Sequence, residues 1–191
     1  MTKALFFDID GTLVSFQTHV IPASTIEALT LAHEKGIQIF IATGRPTLII
    51  NNLSELQSRG LIDGYITMNG GYCYVGDQII YKSSIPDKDV KCIADFCEKN
   101  GFPCIFVGEH DASVCQPDDL LRYIFYEHLG VKEFPEESFE KAIQREVFQI
   151  TPFFTAEQEK EVLPQVTGGE FGRWHPSFVD ITAQGNTKQN G

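Results

Sequence analysis

Two aspartates, Asp8 and Asp10, stand two positions apart at the end of the apolar run in FFDIDGTLV, residues 6–14. Losing water costs each carboxylate, and the two repel each other, so the arrangement asks for a cation or for chemistry. A carboxylate can attack phosphorus and form an aspartyl phosphate. A second carboxylate can protonate the leaving oxygen and then take a proton from water. Mg²⁺ binds through one or two carboxylates together with substrate phosphate oxygens. Thr43-Gly44-Arg45 begins 35 residues after Asp8. The Thr43 hydroxyl, and the backbone N–H groups of Gly-rich turns such as those at Gly11 and Gly44, can hold phosphoryl oxygens. Lys188 is the best-placed lysine for neutralising a nucleophile and a phosphoryl group. These parts together suit phosphoryl transfer.

The elements that must position them alternate. Residues 4–9, ALFFDI, read as a strand buried on both faces, as in a parallel sheet. Residues 22–35 read as a helix with Pro22 in its first turn, an apolar face of Ile26, Leu29, Leu31 and Ala32, and a stop at Gly36. Residues 37–42, IQIFIA, are a second strand, and Pro46 opens a predicted helix, TLIINNLSELQSR, ended by Gly60. Residues 64–69, GYITMN, make a third strand ending in Asn69-Gly70-Gly71. This strand–helix alternation is the pattern of a parallel α/β unit, whose ligands sit beyond the carboxyl ends of the strands. All the polar clusters lie at such ends. Residues 72–75 and 78–82 flank Gly76-Asp77 as a hairpin. From about residue 84 the pattern changes to an α+β one. Helices are expected at 87–100 and 138–147, and short strands within 103–108, 147–154 and 168–182. Gly185-Asn186-Thr187-Lys188 reads as the turn out of this second part.

Composition excludes several classes. A net charge of -11 with no Lys/Arg-rich run disfavours nucleic acid and anionic membranes. No apolar run reaches the length of about 20 residues that spans a bilayer, and Asp8 and Asp10 interrupt the N-terminal one, which argues against a signal peptide. Five cysteines in no CxxC pair read as thiols packed in a reducing cytoplasm, with no zinc site. Trp174 and His175 read as packing or surface residues. Residues 135–141, PEESFEK, read as a solvated helix start.

FFDIDGTLV resembles the first motif of the haloacid dehalogenase-like (HAD) phosphatases, and IFIATGRP resembles the second motif of their Cof-type branch. ITMNGGYCYVGDQIIYK is similar to that branch's strand and hairpin before the cap, and DITAQGNTKQNG to the return that presents the third-motif lysine. The resemblance implies an α/β fold: a Rossmann-like parallel-sheet core, residues 1–82 and 182–191, with an inserted α+β cap, residues 83–181, that selects the substrate. It implies a Mg²⁺-dependent cytoplasmic phosphatase acting on a small phosphorylated metabolite such as a sugar phosphate or phosphorylated cofactor. Asp8 would be nucleophile and Mg²⁺ ligand. Asp10 would be the general acid/base, its backbone carbonyl on the metal. Thr43, with the backbone at Gly44 and the Gly11 turn, would bind the phosphoryl group, Lys188 would stabilise its oxygens, and Arg45 and Asn69 would touch substrate at the mouth.

The family's fourth motif, a Gly-Asp dipeptide with further acidic residues on the next core strand, does not occur before Gly191. The resemblance therefore implies a member truncated at its C-terminus, with weak Mg²⁺ binding, low activity and a first strand left as an edge open to self-association. A phosphomutase shares the same motifs, and a non-catalytic phosphate-binding or regulatory module is the rival from another class.

Overall fold

The computed structural model describes residues 3–15 and 17–191; Met1, Thr2 and Phe16 lie outside the described residues. The chain forms two units, Met1–Lys82 with Thr187–Gly191, and Ser83–Asn186. The return to the first unit, expected at residue 182, comes at Thr187, because the last strand of the second unit keeps its pairing through Ala183.

The first unit is a five-stranded sheet in the order β1 (Lys3–Phe7), β2 (Ile37–Ala42), β3 (Gly64–Thr67), β4 (Tyr72–Val75), β5 (Gln78–Lys82). β1, β2 and β3 are parallel, and β4 and β5 return antiparallel as the expected hairpin. Helix α1 (Ala23–Glu34) lies between β1 and β2, with Pro22 fixing its entry and Gly36 leaving it at φ 76°. Its Ile26 and Leu29 join Ile9, Leu13, Val14, Ile39, Ile41, Leu53, Leu56 and Leu61 in one apolar core. Leu31, read as part of that face, is instead exposed.

Two expectations need correction. β1 is not buried on both faces: Leu5 is 39% and Phe6 59% exposed. β1 is the edge strand, with β2 alone beside it among the described residues, so its apolar residues lack a second covering layer. The long helix after Pro46 is also not formed. A single 3₁₀ turn, Thr47–Ile49, is followed by irregular chain and a short helix α2 (Ser54–Ser58). The Asn51 side chain accepts from Arg45 Nη1, which also donates to the Ile49 carbonyl, and asparagines favour such non-helical bonding.

The second unit is a five-stranded sheet, β7 (Ala112–Cys115), β6 (Cys104–Val107), β8 (Gln149–Pro152), β10 (Phe178–Ala183), β9 (Gly169–His175), antiparallel throughout. Helix α3 (Asp87–Asn100) packs on it as expected, ending at Gly101 with φ 71°. α4 (Asp119–Leu121) runs into a π-helical stretch, Arg122–His128, that the sequence pattern did not suggest. The helix expected over 138–147 shrinks to α5 (Phe139–Ala142), and α6 (Ala156–Val162) carries a Thr155/Gln158 capping box. The 135–141 segment is not simply solvated. Glu137 is largely buried, bonded to Lys141 and Arg145, and its hydrogen bond from Lys141 is the main force holding its carboxyl below the usual range.

Candidate active site

Asp8 follows β1 directly, and the chain then closes into a tight turn. Val14 N–H donates to the Ile9 carbonyl and Gly11 N–H to the Val14 carbonyl, each at 2.9 Å. Gly11 holds φ 77°, a backbone shape that costs other residues about 1–2 kcal/mol. Ile9, Leu13 and Val14 are buried as anchors, which leaves Asp8 and Asp10 on a rigid loop with their side chains partly exposed. The Asp10 carbonyl takes no backbone N–H of this turn.

Each carboxylate receives its own cation. Lys188 Nζ donates to Asp8 Oδ1 at 2.7 Å. Arg45 grips Asp10 with two bonds, Nη2 to Oδ1 at 2.6 Å and Nε to Oδ2 at 2.9 Å. The fork geometry of the guanidinium matches both oxygens at once, which a lysine cannot do. Arg45 Nη1 also donates to Asn51 Oδ1 and the Ile49 carbonyl at 3.3 Å. Arg45 thus pairs with Asp10, one of the two roles, carboxylate or substrate partner, that its place after Gly44 allows.

The β2 and β3 ends are stitched together beside this loop. Thr43 is buried; its N–H donates to the Ile66 carbonyl at 2.8 Å, and its hydroxyl accepts the Arg45 N–H at 3.1 Å. Met68 N–H donates to the Arg45 carbonyl and Asn69 N–H to the Thr43 carbonyl. Met68 and Asn69 both hold positive φ, 49° and 53°. The Asn69 side chain lies over Gly44, where a Cβ would come within 3.0 Å of its Oδ1. Asn69 therefore contacts the Thr43-Gly44-Arg45 turn.

Thr187–Gly191 brings in Lys188. Asn190 and Gly191 N–H groups donate to the Thr187 carbonyl, forming one helical turn. A Cβ on Gly70 would stand 2.3 Å from that carbonyl oxygen, so only glycine lets the segment lie there. Sequence reasoning noted Asn69-Gly70 as a turn and missed this contact; the doubled Gly70-Gly71 was the available signal. Asp8, Asp10, Thr43, Gly44, Arg45, Asn69 and Lys188 are thus brought together by four segments of one unit.

The donor set is hard oxygen only. Among the described residues no group of three or more His, Cys, Asp or Glu is assembled for a metal. The Asp8 carboxylate and the Asp10 carbonyl, which takes no backbone N–H among the described residues, nevertheless fit Mg²⁺, which keeps several waters and takes the remaining ligands from a substrate phosphate.

A five-stranded sheet with three parallel strands, carboxylates at its carboxyl edge and a large second unit inserted in the chain is a Rossmann-like α/β core carrying an insertion. Residues 5–191 match the family model of the haloacid dehalogenase-like hydrolases, and the chain belongs to that family. A solved structure of BT4131, described as a HAD subclass IIB sugar phosphatase, is 66% identical with a TM-score of 0.92, covering 100% of this chain and 73% of that one. The candidate phosphatase YkrA of Bacillus subtilis is 28% identical, covering 100% of this chain and 72% of YkrA. Pyridoxal phosphate phosphatase YbhA of Escherichia coli is 38% identical over 73 residues, 38% of this chain and 26% of YbhA. The chain stands among the phosphatases of its family, which are phosphoric monoester hydrolases.

Proposed function

We propose that this protein is a Mg²⁺-dependent phosphatase of small sugar phosphates that works through an aspartyl phosphate on Asp8. One observation carries the reading: Lys188 reaches Asp8 at 2.7 Å from 180 residues away, at the sheet edge that also holds the Thr43 turn. The likeness to a sugar phosphatase supports the substrate class. No helix of the described residues is long and apolar enough to cross a membrane. From the acidic balance of the chain we propose an enzyme of the cytoplasm without nucleic-acid or membrane partners, and, from a β1 strand that among the described residues pairs with β2 alone, self-association through that edge.

In the reaction an Asp8 oxygen attacks phosphorus, and the bond from phosphorus to the ester oxygen breaks. Asp10, carrying on the oxygen that Arg45 yields the proton it took from water in the preceding turnover, gives that proton to the departing oxygen. Asp10 then takes a proton from a water that attacks the same phosphorus, which releases phosphate and restores Asp8. Lys188 and the turn N–H at Gly44 offset charge on the transferring oxygens; the Gly11 N–H, expected to join them, is spent on the Val14 carbonyl and serves the turn instead. Arg45 orients Asp10 and yields one of its oxygens as the leaving group arrives. Asp8 and the Asp10 carbonyl would hold Mg²⁺, which supplies charge neutralisation at the phosphoryl group when bound.

The test is p-nitrophenyl phosphate hydrolysis with Mg²⁺ and with EDTA, in the parent and Asp8→Asn proteins, with acid-quenched trapping of the phosphoenzyme. Mg²⁺-dependent turnover and a hydroxylamine-labile phosphoryl label, both lost in Asp8→Asn, support the reading. Absence of turnover and label, on this ester and on a panel of hexose phosphates, would overturn it in favour of a regulatory phosphate-binding module. Transfer to a second sugar hydroxyl in place of water would mark a phosphomutase.

A further inference from the structure

Three consecutive residues after β3 hold positive φ: Met68 at 49°, Asn69 at 53° and Gly70 at 94°. Glycine alone adopts that left-handed shape without strain. Among the described residues, the other non-glycine residues at positive φ are His19 and Gln116, and each stands by itself. A left-handed run persists only where its surroundings hold it, and such strain gathers at working sites. Here the surroundings do hold it. Thr67 and Met68 are buried. The Thr67 hydroxyl donates to the Tyr72 carbonyl at 2.9 Å, and the Gly71 N–H closes the turn on the Met68 carbonyl at 3.0 Å.

The turn spends its own donors on the neighbouring segment. Met68 N–H donates to the Arg45 carbonyl at 3.2 Å, and Asn69 N–H to the Thr43 carbonyl at 3.1 Å. These two carbonyls stand on either side of Gly44. The peptide unit joining Thr43 to Gly44 is planar and trans, so its C=O and N–H point in opposite directions. A Thr43 carbonyl held toward Asn69 therefore turns the Gly44 N–H away from the left-handed turn. That N–H donates to no group among the described residues, whereas the next one, Arg45 N–H, is spent on the Thr43 hydroxyl.

The Asn69 side chain secures the same peptide from its open side. Gly44 has no Cβ to resist rotation of its backbone. The Asn69 carboxamide occupies the place beside it, with Oδ1 3.0 Å, Nδ2 3.4 Å and Cγ 3.5 Å from where that Cβ would stand. Asparagine also tolerates positive φ better than most residues with a side chain. A glycine at 69 would carry the backbone without strain; what asparagine adds is the cover over Gly44.

We propose that Asn69 is a positioning residue. With its N–H on the Thr43 carbonyl and its carboxamide over Gly44, it fixes the Thr43–Gly44 peptide so that the Gly44 N–H is aimed at a phosphoryl oxygen. The aim at phosphate rests on the phosphatase reading above; the fixing of the peptide does not.

Asn69→Gly and Asn69→Ala test this together. Both remove the carboxamide, but alanine resists positive φ and glycine does not. The melting temperature of Asn69→Gly should therefore lie above that of Asn69→Ala by about 2–4 °C. Without the cover, the share of molecules with the peptide correctly aimed should fall to about a tenth, and apparent affinity falls with that share. So kcat/KM on p-nitrophenyl phosphate with Mg²⁺ should drop about tenfold in both variants alike, a fraction of the roughly 10²–10³ that loss of a whole oxyanion donor costs. A second measurement needs no turnover: the Gly44 amide resonance of ¹⁵N-labelled protein, titrated with inorganic phosphate. It should move saturably in the parent and with about tenfold weaker affinity in both variants. Activity that follows the melting temperatures, falling in Asn69→Ala alone, would overturn the proposal in favour of an ordinary structural turn. Activity unchanged in both, or lowered in Asn69→Gly alone, would remove the carboxamide from the positioning of Gly44. If the parent hydrolyses nothing, the phosphatase reading fails, and the titration still decides: a Gly44 response weakened alike in both variants supports the positioning, and no response in the parent, or equal affinity in all three proteins, refutes it.

Discussion

Replacing Gly70 with alanine tests whether the Lys188 segment is held in place by backbone fit. Gly70 sits at φ 94°, and its added Cβ would meet Thr187 O at 2.3 Å and Thr187 C at 2.9 Å. The left-handed backbone costs alanine about 1–2 kcal/mol. The overlap adds to this and can be relieved only by moving backbone, because both contacts are main-chain atoms. Taking about 2 kcal/mol in all, the population with residues 187–191 displaced rises about 30-fold, since about 1.4 kcal/mol is a factor of ten. Trypsin cleavage after Lys188 reads that population when opening is fast relative to cutting. Mass spectrometry should show cleavage of the bond between Lys188 and Gln189 about 30-fold faster, with cleavage at exposed Lys99 of the second unit unchanged. Gly36→Ala separates the two costs: Gly36 has φ 76° but nothing within 4 Å of its added Cβ, so it should leave cleavage at Lys188 alone. Equal rates at Lys188 in the Gly70→Ala and parent proteins would refute the argument that Gly70 fit positions the lysine.

Three further outcomes follow from other sites. Arg45→Ala should lower kcat on p-nitrophenyl phosphate about 10²-fold, the size of one general acid–base contribution, with little change in KM, and millimolar guanidinium should restore part of the loss; an unchanged kcat would remove Arg45 from the positioning of Asp10. His175 has a depressed pKa in the fold, so the unfolded chain binds the extra proton first as pH falls. Its contribution to stability is therefore present above the ordinary value near 6.5 and is lost as pH drops through the lower folded value. The melting temperature of the second unit should fall between pH 7 and pH 5 by less in His175→Gln. Of the five cysteines, Cys92 alone is partly exposed and the others are buried, so a thiol reagent should label one site quickly in the native protein and all five in denaturant.

Much of the first unit was legible because its signals are local and agree with one another. Gly36 and Gly76 close their elements at positive φ where the pattern placed stops, and the β4–β5 hairpin falls on the residues flanking Gly76-Asp77. Helix α3 matched residue for residue because Pro86, two early aspartates and Gly101 mark both ends. The illegible parts are those where tertiary contacts outvote local preference. The TLIINNL stretch has apolar residues enough for a helix, yet Arg45 takes the Ile49 carbonyl that a helix would need. β1 reads as a buried strand because burial depends on what lies beside it, and its own five residues cannot say that β2 alone pairs with it among the described residues. The π-helical stretch carries no pattern at all, since RYIFYEH is compatible with any helix.

The pairing of charges at the site shows the same division from the other side. That Asp8 and Asp10 require cations follows from the cost of two carboxylates at one strand end. Which of the 15 lysines and arginines supply them does not. The sequence offers Arg45 through proximity to Thr43, and a guanidinium after a glycine is equally suited to a substrate oxygen or to a carboxylate. What decides is the turn itself: the Thr43 hydroxyl accepts the Arg45 N–H, and the Met68 N–H holds the Arg45 carbonyl. With both ends of its backbone fixed, the side chain is directed to both oxygens of Asp10. Lys188 is directed in a comparable way by the Thr187 turn lying over Gly70. In each case a glycine or a backbone bond, and not the charge, selects the partner, so substitutions at Gly44 and Gly70 should disturb the two ion pairs separately.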